Sequence, residues 1–338
     1  MIRVWWYLSD WLGHRRAGEA YRRCLDLAGL CSVDSPDQAD VAVVHEDPIF
    51  WPLIFKAHPQ LHHKPTIGFA VWETKKLPLV YRPGLKMMHA VWTASHFSAA
   101  ALIQGHSNVT VVPHIVETTE PEAQDLEWVR EHVPPDVPYF FSIVDALNPR
   151  KNLDLLLRAF SRVRLRCEQD VMLVLKQYRT PLPIHTARVL SFTESLSEGQ
   201  LAALHRLALG YVSPHRGEAW GLCLSEAMSH GVTVLGTGWS GNMEFMDLRN
   251  SVPLRYQLAP VGTRMSAMLP HYQPDMLWAE VEEDHLVREM LRLVRRGPDK
   301  EICERARSIA RRFSPQRIAQ RIRDALLRDM EIWVRTRR

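Results

Sequence analysis

Short apolar runs recur along the chain, separated by longer stretches of helical period, which is the alternation of a parallel α/β sheet. Residues 2–8 predict a first buried strand, 15–28 a helix carrying Ala17, Ala20, Tyr21, Leu25 and Ala28, and 40–45, 65–72, 90–94 and 109–116 further strands. A second series opens at 139–144, which is wholly apolar, and continues through 172–177, 189–194, a run ending at Tyr211-Val212, 232–235 and 251–258. Leu153, Leu156, Leu157, Phe160 and Val163 recur at helical spacing after the first of these. Ser197 and Gln200 have the spacing of a capping box and predict a helix over 198–208. A Pro-rich passage up to Asp275 reads as irregular, and two helices follow it. Ser314-Pro315 opens the last one, whose Ile318, Ile322, Leu326 and Met330 recur every fourth residue. Between the two series, residues 117–137 are rich in Glu, Pro and Asp and read as a linker with one short helix. The expected division is therefore a first domain over 1–117, a linker over 118–137, a second domain over 138–313, and a terminal helix over 314–338 packing back on the first.

Composition narrows this picture in three ways. A chain of 338 residues suits two domains, and its ordinary 46% hydrophobic content supports two cores. The five cysteines (24, 31, 167, 223 and 303) form no C-x-x-C pair, which argues against a disulfide framework or structural zinc and for a reducing cytoplasm. Met1-Ile2-Arg3 runs straight into a strand-like segment without a secretory pattern, and no apolar stretch approaches the ~18 residues of a membrane span. Net charge is only +4, yet from Arg288 to Arg338 there are 16 Lys or Arg against 7 Asp or Glu. Such an excess is either a set of solvated helix faces or an attraction to anionic lipid or an anionic acceptor, which would put the protein at the inner face of the membrane. Without aromatic residues interleaved with the charge, nucleic acid is not expected as a partner.

Candidate chemistry concentrates in residues 211–247. Glu218 and Glu226 stand eight residues apart around Gly221. At roughly 100° per residue they would miss alignment on one helix by about 80°, so Glu218 is expected in a loop and Glu226 inside the helix that follows. The strand 232–235 then opens into a Gly-rich turn ending in Ser240-Gly241-Asn242. Both glutamates would face the crevice outside the carboxyl ends of parallel strands, where α/β proteins bind ligands. Arg150-Lys151, placed at a helix start beyond a strand, would join two cations to the helix dipole where a diphosphate could sit. Lys176 on the next strand is another available cation, His215 and Arg216 flank Glu218, and Gly13 follows the first strand at a place where backbone N–H groups can meet an anion. No D-x-D pattern and no His/Cys cluster at ligand spacing is present, so no metal is expected. Cys223 lies in an apolar helix stripe without an evident base and reads as core.

The order Ser-Pro-His-Arg-Gly-Glu, Gly-Leu, Glu-Ala-Met, Gly and Ser-Gly-Asn over this stretch resembles the E-x7-E signature of retaining glycosyltransferases of family 4. The resemblance implies the GT-B fold, two Rossmann-like doubly wound parallel-sheet domains facing across a cleft. It also implies metal-independent transfer from a UDP-, GDP- or dTDP-linked sugar to a glycan or lipid-linked acceptor, as in bacterial surface polysaccharide synthesis. Glu226 would then hold the donor ribose, and Glu218 would contact the transferred sugar. Lys151 matches the family's diphosphate lysine, while the family's arginine falls on Asp145, leaving Arg150 or Lys176 as its substitute. Ser240, Gly241, Asn242 and His215 would line the donor site, and residues 192–196 would lie by the base. In the first half, 72–78 and 90–97 resemble a "WE…LP…vWt.S.f" segment of some members and single out Glu73 as a catalytic candidate. Val112-Pro113-His114 resembles the end of the family's first domain, and Gly13 stands where members often carry two glycines. Two other classes share the architecture, a nucleotide-sugar epimerase and a non-catalytic scaffold. Retention of Lys151, Glu218 and Glu226 favours the transferase. A dehydrogenase is disfavoured by the lack of G-x-G-x-x-G after the first strand.

Overall fold

The structure is a computed structural model that describes residues 1–336. Arg337 and Arg338, which count in the basic C-terminal stretch, lie outside the described residues. The chain forms two compact units. The first comprises Met1–Ile115, Pro260–Leu277 and the segment from Arg312, and the second Val116–Ala259 and Trp278–Arg311.

The first unit is built on six strands: β1 (Arg3–Leu8), β2 (Cys31–Val33), β3 (Val41–His45), β4 (Thr66–Phe69), β5 (Ala90–Thr93) and β6 (Val109–Val111). They form one parallel sheet in the order β2-β1-β3-β4-β5-β6. All five residues of β3 are buried, as are all four of β4 and of β5. Burial on both faces is why these strands read as continuous apolar runs without alternation. The edge strand β2 has no such run, since its three residues are only half-buried, and the sequence reading did not include it.

Six strands also form the sheet of the second unit: β7 (Tyr139–Val144), β8 (Met172–Gln177), β9 (Val189–Phe192), β10 (Gly210–Ser213), β11 (Val234–Thr237) and β12 (Val252–Leu254). Their order is β12-β11-β10-β7-β8-β9, again parallel throughout. The periodic residues Leu153, Leu156, Phe160 and Val163 lie on the helix Leu153–Arg164 and are buried among Phe140, Leu173, Leu175 and Met290. Ser197 and Gln200 form the expected capping box at the start of the helix Glu198–Leu207.

Two readings of the C-terminal half need correcting. Residues 251–258 hold two strands, β12 and β13 (Tyr256–Pro260), and β13 pairs with β14 (Leu277–Val281) in a two-stranded sheet. The passage expected to be irregular contains a helix, Gly262–Met268, and three helices follow it: Glu283–Arg296, Lys300–Arg312 and Pro315–Thr336. Gly297, at φ 72°, ends the first of the three in a conformation that favours glycine.

Sequence order also misplaces 260–277, expected in the second domain. Its side chains pack on the loop after β4, so this passage belongs to the first unit. Tyr272 lies with its ring centroid 4.8 Å from that of Trp72, Lys76 pairs with Asp275 at 2.6 Å, and His271 Nε2 stands 3.1 Å from Asp47 Oδ2. The terminal helix joins the same unit. Ile318, Ile322 and Leu326 are buried, and the fully buried Asp329 accepts a 2.7 Å hydrogen bond from Trp92 Nε1. Among the described residues, no helix is long and apolar enough to cross a membrane.

Candidate functional site

Three loops of the second unit converge at the carboxyl ends of β7, β10 and β11. After β7 the chain makes a single 3₁₀ turn, Pro149–Lys151, whose start is capped by Asn148 Oδ1 accepting from the Arg150 N–H. Asn152 follows at φ 56°, a left-handed conformation that asparagine tolerates better than most side chains, and the helix begins only at Leu153. Arg150 and Lys151 therefore sit in a turn ahead of the helix rather than at its first residues as expected. After β10, Pro214 to Trp220 form an irregular loop. Gly221, at φ 94°, leads into the helix Leu222–Ser229, so Glu218 is in the loop and Glu226 in the helix, as the spacing predicts.

The first two loops are stitched together by one backbone and two side-chain hydrogen bonds. The Arg216 N–H donates to Arg150 O at 2.7 Å, Asn152 Nδ2 to Pro214 O at 3.0 Å, and Arg150 Nη1 to Gly217 O at 2.6 Å. Arg216 lies across the seam. Its guanidinium bonds Pro149 O, pairs with Glu280 at 2.6 Å and stacks 4.9 Å from the centre of the Trp278 ring. It acts as a brace.

At the centre, Glu218 Oε1 takes Lys151 Nζ at 2.6 Å and Arg150 Nη1 at 3.0 Å. Glu218 is 8% exposed. Burial alone would push its carboxyl up, but the two cations outweigh that and hold it well below the usual carboxylate range. Burial likewise opposes the charge on Lys151, and Glu218 more than restores it, so the ammonium is raised. All three groups remain ionised near neutrality, two cations against one carboxylate, with one net positive charge held in a desolvated setting.

The Ser240-Gly241-Asn242 turn backs this cluster. The Glu218 N–H donates to Ser240 Oγ at 2.8 Å, and the Gly241 N–H donates to Glu218 O at 2.7 Å. Ser240 Oγ in turn donates to Asn242 Oδ1 at 3.2 Å, Asn242 Nδ2 donates to Thr237 O at 2.8 Å, and His215 Nε2 stands 3.1 Å from Asn242 Oδ1. His215 is fully buried, with both ring nitrogens engaged by protein atoms. The sequence reading gave it a contact with phosphate or sugar; the structure turns it inward. Glu226 is half-buried on its helix.

The remaining candidates fall elsewhere. Lys176 is buried and donates to the carbonyl of Gln177, so Arg150 rather than Lys176 is the second cation on Glu218. Asp145 is buried and pairs with Arg179 Nη1 at 3.2 Å. Arg179, at φ 65°, was not singled out in the sequence, where nothing ties an arginine 34 residues away to that position. Gly13 and Glu73 belong to the first unit. Gly13 stands exposed within the first turn of the helix Leu12–Arg23, not in a loop ahead of it. Glu73 is half-buried and accepts from the Tyr272 hydroxyl at 3.4 Å. An open pocket of about 780 Å³ lies beside the turn, lined by Gly238, Met243, Leu248, Arg249 and Tyr256 among others, and neither Lys151 nor Glu218 is part of its wall. No group of three or more His, Cys, Asp or Glu among the described residues is placed to hold a metal ion.

Buried neutral histidines set an acid limit on stability. Burial pushes His215 down to about 4 and His114 down to about 3 from an ordinary 6.5. Unfolded histidines take up protons below about pH 6.5 that the folded ones refuse. Stability is therefore full above that pH and lost as the pH falls toward 4. Glu218, whose folded value is depressed, loses its contribution only at lower pH and does not offset this. Each histidine is expected to cost about 2 kcal/mol by pH 5. Urea midpoints at pH 7.5 and pH 5 measure it, and equal midpoints would contradict the burial of these rings.

Residues 124–247 match the family described as glycosyl transferases group 1. No curated protein matches the sequence. Similar solved structures include a glycosyltransferase from Rickettsia africae ESF-5 (TM-score 0.67, 13% identity, 98% of each chain covered). Anabaena Alr3699/HepE in complex with UDP-glucose is similar too (TM-score 0.66, 13% identity, 96% of this chain and 99% of that one), as is sucrose-phosphate synthase from Thermosynechococcus elongatus (TM-score 0.63, 14% identity, 87% and 74%). The chain thus has the two-domain α/β fold of GT-B glycosyltransferases, and the converging loops that carry Lys151, Glu218 and Asn242 lie inside the segment that matches group 1.

Proposed function

We propose that this protein is a retaining, metal-independent glycosyltransferase that moves a sugar from a nucleoside-diphosphate donor to a glycan or lipid-linked acceptor. The observation that carries the reading is the cluster of the half-buried cations Lys151 and Arg150 on the buried Glu218, at the carboxyl ends of parallel strands. In such a reaction the bond from the anomeric carbon to the diphosphate breaks, and its electrons leave with the phosphate. Lys151 and Arg150 would take up that charge without solvent rearrangement, which is the most effective way to stabilise a leaving group. Glu218 would contact the transferred sugar and steady positive character at its anomeric carbon, and Glu226 would hold the ribose. Retention, independence from metal and the role of Glu73 rest on the resemblance to family 4. The excess of positive charge from Arg288 onward supports an anionic acceptor or an anionic membrane face, and a place in bacterial surface polysaccharide synthesis at the inner side of the membrane.

A thermal-shift series with UDP, GDP and dTDP and their sugars tests the donor, beginning with UDP because HepE was solved with it. One nucleotide is expected to stand out, since a ligand at 100 times its Kd adds about 2.7 kcal/mol. Transfer with that donor should persist in EDTA, and NMR of the product should show the donor's anomeric configuration. A flat response to every nucleotide would favour a scaffold.

A further inference from the structure

We infer that His215 is a positioning residue, acting through Asn242 and Ser240 to fix the backbone of Glu218 against Lys151 and Arg150. The inference rests on the proposed transfer reaction and adds a residue to it that touches no substrate.

The argument starts at Asn242. Its Nδ2 donates to Thr237 O at 2.8 Å, which orients the amide and leaves Oδ1 facing His215 and Ser240. Oδ1 is an acceptor only, so His215 Nε2, 3.1 Å away, must carry a proton. On its other side the ring is held by Ser213, whose hydroxyl stands 3.1 Å and whose carbonyl oxygen stands 3.0 Å from Nδ1. Asn242 and Ser213 thus fix the ring from both sides, and burial, which pushes it down to about 4, keeps it neutral. The same Oδ1 takes the Ser240 hydroxyl at 3.2 Å, and this commits the Ser240 oxygen to receive the Glu218 N–H at 2.8 Å. Gly241 closes the frame by donating its N–H to the Glu218 carbonyl at 2.7 Å. Both backbone polar groups of Glu218 are thus spoken for by one turn, and that turn is keyed by His215. At 0% exposure the imidazole cannot meet a ligand, so its influence has to pass through these bonds.

Two variants separate this role from simple packing. His215→Phe keeps an aromatic ring but loses both hydrogen bonds, whereas the amide of His215→Gln reaches the place of Nε2 and can still donate to Asn242. With a donor that wild type uses, His215→Phe is expected to lower kcat about 10–100-fold, with donor KM within about twofold, because only the alignment of Glu218 is lost. Nucleoside diphosphate without sugar should bind it as it binds wild type, since Lys151 and Arg150 are untouched. His215→Gln should recover most of kcat. If His215→Phe fails to fold, Ser240→Ala carries the test. It cuts the link between Asn242 and the Glu218 N–H and should lower kcat similarly, and adding His215→Gln to it should cost no further activity. A folded His215→Phe protein with wild-type kcat overturns the inference while leaving the transferase reading intact. So does equal loss in the Phe and Gln variants, or a Ser240→Ala protein with wild-type kcat. A wild-type protein that transfers no sugar from any donor overturns both.

Discussion

Lys151→Ala is expected to lower kcat/KM for sugar transfer by about 10²–10³-fold, the range seen when one preorganised donor to a developing negative charge is removed. Lys151 delivers its charge from a turn that cannot drift. The turn is capped by Asn148, bonded to the neighbouring loop through the carbonyl of Arg150, and closed by a left-handed Asn152. The ammonium is moreover held in its charged form by Glu218, so it meets a departing phosphate without first acquiring a proton. Arg150 remains in the variant and still pairs with Glu218 at 3.0 Å, so the carboxylate keeps a partner and the protein should fold, with a lower melting temperature. Lys151→Arg is not a conservative control, because a planar fork cannot reproduce a point charge 2.6 Å from one carboxylate oxygen, and partial recovery only is expected. The assay is release of nucleoside diphosphate with acceptor present, at matched folded concentration. A Lys151→Ala protein within about threefold of wild type would remove the cluster from the chemistry.

What the sequence made legible was the part governed by local pattern. Strands buried on both faces announce themselves as apolar runs, and β3 to β5 and β7 to β11 follow the predicted runs to within a few residues. The split between Glu218 in a loop and Glu226 in a helix followed from helical angle alone. Three-dimensional pairing lay beyond that reading. His215 and Lys176 were chosen for chemistry that their neighbours use up, Ser213 and Asn242 in one case and the Gln177 carbonyl in the other. Asp145 stood out as a misfit against the family pattern, but its partner Arg179 is distant in sequence and could not be read from spacing. The excursion 260–277 looked irregular because it is Pro-rich, and its buried Tyr272 finds its partner, Trp72 in the loop after β4, far away in sequence.

Gly241→Ala should be the most damaging single-methyl change in the site, lowering kcat/KM more than about 100-fold and stability by about 1–3 kcal/mol. A Cβ at this position would run into the carbonyl of Ala219 and come within 2.8 Å of that of Glu218. Neither oxygen can give way. The Glu218 carbonyl is the acceptor for the Gly241 N–H itself, and Ala219 is buried beside Trp220 and Gly221 at the mouth of the helix. The turn must retreat, and both hydrogen bonds it makes to the Glu218 backbone lengthen together, so the carboxylate loses its register with Lys151 and Arg150. Ser240→Ala, which removes one of those bonds without a clash, supplies the scale. The glycine variant should be the slower enzyme and the less stable protein of the two, because strain is added to the lost contact. Melting temperature and kcat/KM measured on the same preparations decide the order. If Gly241→Ala matched or exceeded Ser240→Ala in both, the close approach of this turn to Glu218 would not be what sets the site.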